Sequence, residues 1–156
     1  MENNVCCFIG HRAIEETEAL REKLTATMER LIVEEKVDTF LLGSKSRFNT
    51  LCYELVTALK ETYPSIKRVY VRAEFPVIDQ RYEEYLLERY EQSYYPEKVV
   101  GAGRAAYVER NREMIDKSRY CVFYYEEGRT PATGKSGTKL ALDYAQKKGR
   151  EIIRFP

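Results

Sequence analysis

The chain has 156 residues, of which 44% are hydrophobic and 33% charged, and this composition is typical of a folded globular protein rather than a disordered one. Lysine and arginine number 26 and aspartate and glutamate 25, so the net charge of +1 argues against a general polyanion binder but permits a small basic site. No apolar run approaches the ~20 residues of a membrane span, and the N-terminus lacks a secretory pattern. We therefore expect one domain over residues 1–156, in the cytoplasm and without a membrane partner.

The four cysteines, Cys6, Cys7, Cys52 and Cys121, form no CxxC pair, and His11 is the only histidine. Neighbouring side chains point to opposite faces of a strand, so Cys6 and Cys7 are poor joint ligands for a metal. We therefore expect no metal site and no cofactor. In a reducing compartment, the cysteines are expected to act as small buried hydrophobic side chains.

Short apolar runs alternate with amphipathic stretches along the chain, and the two patterns predict strands and helices respectively. The stretch after the first run places Leu20, Leu24, Met28, Leu31 and Ile32 on one helical stripe. Strands are predicted over residues 5–9, 39–42, 68–71, 120–125 and 151–155. Helices are predicted over residues 15–35, 48–62, 104–117 and 136–148, with a less regular helical segment over 81–92 and a loop over 94–103.

This alternation predicts an α/β fold, a Rossmann-like three-layer sandwich with a mostly parallel central sheet. Right-handed crossovers place the loops that follow the strands at one edge of such a sheet, where open sheets bind ligands. The candidate loops are residues 10–12, 43–49, 72–76 and 126–138.

Gly10, His11 and Arg12 directly follow the first predicted strand. A glycine there lets a ligand approach the backbone closely, and histidine and arginine are both able to pair with phosphate, the guanidinium through two hydrogen bonds. A polar turn with a surface salt bridge explains the same three residues equally well.

Two further glycine-containing loops precede predicted helices, whose N-termini attract anions through free N–H groups and the helix dipole. In the first, residues 43–47 (GSKSR), Ser44 or Ser46 also serves as an ordinary helix cap. The second, residues 134–138 (GKSGT), fails the Walker pattern GxxxxGK[ST], because Gly128 lies one residue too far upstream and Thr133 stands where the register that starts at Gly128 requires the second glycine. It predicts a helix N-terminus suited to phosphate or ribose hydroxyls rather than an NTPase loop.

Three other patterns have two interpretations each. Residues 101–106 match GxGxxG/A, but only a weak apolar pair precedes them, which favours a flexible loop over a dinucleotide site. Arg110 and Asn111 lie in the next predicted helix, either on a solvated face or turned toward the ligand edge. Glu83 and Glu84 are either surface residues or candidates for a catalytic carboxylate.

Four segments together resemble the YpsA-type branch of the SLOG superfamily, which includes the DprA and LOG proteins and has a variant Rossmann fold. They read CCFIGHR, TFLLGSKSRFNTL, RNREMIDKSRYCVFYY and SGTKLALDYAQKKGREII, and the resemblance covers nearly the whole chain. It implies one pocket for a nucleotide or a nucleotide-derived sugar such as ADP-ribose. The pocket residues that it implies are Gly10, His11, Arg12, Gly43, Ser44, Phe48, Asn49, Arg110, Asn111, Ser136, Gly137 and Thr138.

Within the implied pocket, we expect Arg12, Ser44 and the backbone amides of Gly43 and residues 136–138 to hold phosphate. We expect Asn49 and Asn111 to orient ribose or base, and Phe48 or a tyrosine to stack on the base. The tyrosine-rich middle of the chain either closes over this pocket or packs against another subunit, which leaves a homo-oligomer open.

Two departures from the family pattern bear on activity. Relatives often carry Gly-Gly and Phe-Asp in the second loop, where this chain has Gly43, Ser44 and Asn49. The GGxGTxxE motif of the LOG phosphoribohydrolases reads GKSGTKLA over residues 134–141, so Ala141 replaces its glutamate. We therefore expect binding or sensing without catalysis.

Two alternatives stay open. A nucleoside or nucleotide N-glycosidase, or a deoxyribosyltransferase-like enzyme, needs a carboxylate, which Glu83, Glu84 or another glutamate of residues 83–91 would supply. A DprA-like nucleic-acid binder is the less favoured alternative, because the chain is nearly neutral.

Overall fold

The structure, a computed structural model, describes residues 2–128 and 136–156. The strands within these residues are β1 (Glu2–Gly10), β2 (Thr39–Leu42), β3 (Lys67–Val71), β4 (Gln92–Tyr94), β5 (Ser118–Tyr124) and β6 (Glu151–Phe155). The α-helices are α1 (Glu18–Val33), α2 (Arg47–Leu59), α3 (Gln80–Arg89), α4 (Ala106–Lys117) and α5 (Gly137–Lys147). Two short 3₁₀ turns, Glu97–Val99 and Gly103–Ala105, lie between β4 and α4.

The strands form one parallel sheet in the order β4-β3-β2-β1-β5-β6, which confirms the predicted Rossmann-like α/β fold. The chain builds outward from β1 to β4, then crosses back and adds β5 and β6 on the other side of β1. The strand order therefore reverses between β1 and β5. In open α/β sheets, the crevice at such a reversal is where ligands bind.

Strand β1 is buried on both faces, as its unbroken apolar run predicts. Cys6 and Phe8 face a core that contains α1 and α2, whereas Val5, Cys7 and Ile9 face a second core that contains α4 and α5. The central strand thus separates two helical layers, and its C-terminal end is the place where the loops from both layers meet.

The helical stripes are buried largely as predicted. Leu20, Leu24, Met28 and Leu31 of α1 are buried, and Ile32 is half-buried against the same core. All four cysteines are free and buried, which confirms that prediction. In the part of the chain that the structure describes, no helix is long and apolar enough to cross a membrane.

Strand β4 was not expected, because the predicted helix ran to residue 92 and a loop was predicted from residue 94. This edge strand has only three residues and no apolar run, so period-based reasoning does not detect it. It is held through Arg68 of β3, whose guanidinium donates to the Glu91 carboxylate at 2.7 and 3.1 Å, while the Glu91 amide donates to the Arg68 carbonyl at 3.0 Å. Residues 101–106 follow a 3₁₀ turn and not a strand of the sheet, which argues against a dinucleotide site; they contain a second 3₁₀ turn and the first residue of α4 in place of the predicted flexible loop.

Candidate functional site

A cavity of about 860 Å³ opens at the C-terminal ends of β1 and β2, beside the start of α5. This volume lies within the ~300–1,000 Å³ of small-molecule sites. The cavity is lined by Phe8, Ile9, Gly10, His11, Arg12, Ala13, Gly43, Ser44, Lys45, Ser46, Asn49, Glu74, Tyr107, Arg110, Asn111, Met114, Ser136, Gly137 and Thr138. Every residue of the predicted pocket except Phe48 is therefore brought to one place.

Phe48 lies in the core beneath the cavity. Its ring is fully buried and packs 5.6 Å from the ring of Tyr124, centroid to centroid. The backbone of Gly10 rests directly on this ring, and a β-carbon at residue 10 would overlap it. The structure does not support stacking of Phe48 on a base. The ring instead explains why the turn after β1 begins with glycine.

His11 connects the ends of β1 and β5. Its Nε2 accepts a hydrogen bond from the Glu126 amide at 2.9 Å, and its own amide donates to the Tyr124 carbonyl at 3.3 Å. An imidazole nitrogen that accepts a hydrogen bond carries no proton, so the ring is neutral in this arrangement. His11 thus fixes the relative position of two loops at the cavity wall.

Asn49 connects the ends of β1 and β2. Its side-chain amide donates to the Phe8 carbonyl at 3.3 Å, and its oxygen accepts from the Gly43 amide at 3.2 Å. An aspartate at this position would have no hydrogen to donate to Phe8 when ionised. The asparagine therefore shapes the loop, and both ends of its amide are already engaged within the protein.

Two helices begin at the cavity. Ser46 caps α2 by accepting from the Asn49 amide at 3.1 Å, and Ser136 caps α5 by accepting from the Lys139 amide at 2.9 Å. Ser46 therefore does cap α2, as one interpretation of residues 43–47 predicted, and it also lines the cavity. The amides of Gly137 and Thr138 fall in the first turn of α5, where an α-helix offers no internal acceptor. Both positive helix ends therefore favour an anion in this space.

The second half of the predicted α5 loop is the part that the structure places at the cavity. Ser136, Gly137 and Thr138 line it, whereas Gly134 and Lys135 lie outside the described residues. The comparison with a Walker loop depends on residues 133–135 and therefore lies outside the described residues.

Arg110 is a buried cation at the cavity wall. Its side chain is only 3% exposed, and its Nη1 has no hydrogen-bond partner in the described structure. Nε donates to the Asn111 oxygen at 3.1 Å, and the guanidinium carbon lies 5.5 Å from the ring centroid of Tyr107. The arginine is thus held in place by neutral groups, with part of its donor set unused.

Burial lowers the pKa of Arg110 from its ordinary value, because the charged form loses water. Nearby Tyr70, Glu74 and Tyr107 act in the opposite direction without overcoming this effect. A buried charge without a close counter-ion is costly, and proteins normally pair such charges. An incoming anion would supply the partner that the described residues do not.

Other charges complete the cavity. Arg12 and Lys45 are exposed and form no hydrogen bond or ion pair through their side chains with any described residue, while Glu74 is half-buried. With Arg110, the described residues of the wall therefore include three cations and one carboxylate, a local basic site in a nearly neutral protein. Sequence reasoning did not include Glu74 in the pocket, although the loop 72–76 was a candidate and Glu74 is its only acidic residue.

Glu83 and Glu84 are exposed on α3 and do not line the cavity. Glu84 accepts a hydrogen bond from Gln80 at 3.0 Å, an ordinary contact along a helix surface. The structure therefore does not bring the predicted catalytic glutamates to the site. Among the described residues, Glu74 is the carboxylate that lines it.

One comparison with known proteins identifies the chain. The family model described as "YspA SLOG family" matches residues 8–155, which is nearly the whole chain and confirms the resemblance seen in the sequence. A search of the curated proteins finds no match.

Proposed function

We propose, from the premise that the chain belongs to the YspA SLOG family, that it binds a nucleotide-derived ligand of the ADP-ribose type without catalysis. Membership in this family suggests a nucleotide-ligand-binding domain. The observation that carries the proposal is Arg110, whose buried guanidinium has an unused Nη1 at the wall of a cavity of about 860 Å³.

A phosphate group offers the hydrogen-bond acceptors and the negative charge for which Arg110 has no close partner among the described residues. Its oxygens accept hydrogen bonds from guanidinium and from helix N-terminal amides, and its charge balances a buried cation. In the proposed complex, Arg110 and the first turn of α5 hold phosphate, while Arg12 and Lys45 add cations at the open side. Glu74 accepts hydrogen bonds from ribose hydroxyls, the role that the sequence had suggested for Asn49.

Binding of ADP-ribose to the protein and to two variants tests this proposal. A ligand at ~100 times its dissociation constant adds about 2.7 kcal/mol to stability, which corresponds to a rise of roughly 5–10 °C in melting temperature for a chain of this size. We expect Arg110→Met and Arg12→Ala to reduce this shift strongly, because each removes a charge that faces the phosphate.

Arg112→Met is the matched control, since Arg112 lies on the same helix, is exposed and does not line the cavity. It is expected to retain the full shift. Absence of any shift in the unaltered protein with ADP-ribose, AMP and other nucleotides would contradict the proposal. An unchanged shift in Arg110→Met would remove the observation on which it depends.

The position of Glu74 supports one second candidate, an N-glycosidase or glycosyl transferase that acts on the same ligand class. A carboxylate beside the sugar stabilises an oxocarbenium-like centre or attacks it. Incubation with AMP, ADP-ribose and deoxynucleosides, followed by chromatography for free base, separates this candidate from simple binding. Release of base that Glu74→Gln abolishes would establish the enzyme, and no release would leave binding alone.

A further inference from the structure

A second cavity of about 190 Å³ adjoins the main one, between α2 and α3 at the end of β3. We call it the tyrosine cleft, and it is lined by Ser44, Lys45, Asn49, Thr50, Tyr53, Tyr70, Tyr82, Tyr85, Leu86, Arg89 and Tyr90. Ser44, Lys45 and Asn49 line both cavities. The two cavities therefore adjoin at the loop after β2.

Five tyrosines, Tyr53, Tyr70, Tyr82, Tyr85 and Tyr90, line the tyrosine cleft. The rings of Tyr82 and Tyr85 are nearly parallel, at 17° with centroids 6.0 Å apart, and the Arg89 guanidinium lies 4.3 Å from the Tyr85 centroid. On the other side, the Tyr90 ring lies 5.1 Å from that of Tyr70. Aromatic and guanidinium planes of this kind are the surfaces on which flat heteroaromatic rings stack in proteins.

Tyr70 places a buried hydroxyl group at the tyrosine cleft, without a hydrogen-bond partner among the described residues. The side chain is 3% exposed, and its hydroxyl has no hydrogen-bond partner. Burial raises the pKa of Tyr70, and the charge of Glu74 acts in the same direction, so the hydroxyl keeps its proton and remains a donor. A buried hydroxyl without a partner costs free energy, which a ring nitrogen or carbonyl oxygen of a ligand would recover.

We propose that the tyrosine cleft binds the heteroaromatic base of the ligand, which stacks on the tyrosine rings and accepts a hydrogen bond from the Tyr70 hydroxyl. The inference rests on the proposed function, because the phosphate in the main cavity places the base near Ser44 and Lys45. A volume of about 190 Å³ is below that of whole-ligand sites, ~300 Å³ and more, so the cleft suits one ring system and not a complete nucleotide.

The test compares ADP-ribose with ribose 5-phosphate, which keeps sugar and phosphate but has no base, by calorimetry. We expect Tyr82→Leu to weaken ADP-ribose binding about tenfold or more, in line with the value of one base-stacking contact. Tyr70→Phe removes only the hydroxyl and is expected to weaken ADP-ribose binding about three- to tenfold. Neither change is expected to alter the affinity for ribose 5-phosphate.

Leu87→Ala is the control on the same helix, since Leu87 is exposed and lies outside both cavities. A second readout uses tyrosine ring signals in NMR spectra. The signals of Tyr70 and Tyr82 should shift with ADP-ribose, because a stacked base produces ring-current shifts, and should stay in place with ribose 5-phosphate.

The outcomes separate the two proposals. If Arg110→Met loses ADP-ribose but Tyr82→Leu and Tyr70→Phe bind it like the unaltered protein, the base lies elsewhere and the cleft proposal is overturned while the phosphate site stands. If the protein binds ribose 5-phosphate but does not bind ADP-ribose, the cleft proposal is also overturned, because the base is then excluded. If neither probe binds the unaltered protein, the phosphate site fails and the cleft proposal fails with it.

Discussion

Gly43 and Arg110 are in direct contact across the cavity wall. A β-carbon at residue 43 would lie 2.6 Å from Cδ of Arg110 and 2.7 Å from Sδ of Met114, closer than real β-carbons approach other atoms. The glycine at the end of β2 is therefore required by packing, because only a residue without a side chain lets the arginine lie against the sheet. This contact couples the shape of the second loop to the position of the buried charge.

The Gly43→Ala variant tests this coupling. We expect the added methyl group to displace Arg110 and Met114, lowering the free energy of unfolding by about 1–3 kcal/mol and weakening ADP-ribose binding. Urea denaturation and calorimetry measure the two effects. Gly137→Ala serves as the stability control, since a β-carbon there meets no atom within 4 Å. Equal loss of stability in the two variants would contradict the packing argument.

Arg110 is expected to bind ligand at a cost to the stability of the free protein. Arg110→Met keeps the length of the side chain but removes the unpaired buried charge, so the free energy of unfolding without ligand should stay the same or rise by about 1–4 kcal/mol. Urea denaturation without nucleotide or phosphate measures this. A fall of several kcal/mol would mean that the guanidinium already has a stabilising partner in the free protein.

Asn49→Asp is expected to destabilise the connection between β1 and β2. At neutral pH a carboxylate would face the Phe8 carbonyl, two acceptors without a hydrogen between them, at a cost of about 1–3 kcal/mol. When the new carboxyl is protonated at low pH, it is able to donate to the Phe8 carbonyl again. The deficit relative to the unaltered protein should therefore grow as pH rises. A deficit that does not change with pH would show that the donor to Phe8 is unimportant.

The pairing of Arg68 with Glu91 is expected to make the edge strand sensitive to acid. Burial alone would raise the pKa of Glu91, but the hydrogen bonds and charge of Arg68 outweigh it and hold the pKa below its ordinary value. The stabilisation is therefore present above the unfolded pKa of about 4.3 and is lost as pH falls through the lower folded pKa.

Glu91→Gln should accordingly cost about 0.5–1 kcal/mol at pH 7, a value kept small by solvent screening, and less at about pH 3. Urea denaturation at the two pH values measures the difference. Glu88→Gln, at an exposed position on α3, is the control. If both variants behave alike, the pair does not anchor β4.

The order of the elements, the parallel sheet and the loops at its edge followed from local patterns in the chain. An unbroken apolar run such as residues 5–9 has one stable location, a strand with helices on both faces, and a glycine or serine before an amphipathic stretch marks where a helix begins. Because these patterns depend on residues near one another in sequence, they placed the loops after β1 and β2 at the sheet edge where the cavity opens.

The features that give the site its chemistry depend on contacts between distant segments, and no periodicity encodes those. Arg110 and Arg112 look alike in the sequence, yet one is buried against Gly43 and the other is exposed. Phe48, which was expected on the cavity wall, packs under Gly10 in the core, whereas Glu74, which no sequence pattern marked as a pocket residue, lines the cavity. Burial, and with it the cost of an unpaired charge or hydroxyl, is set by which segments meet when the sheet assembles.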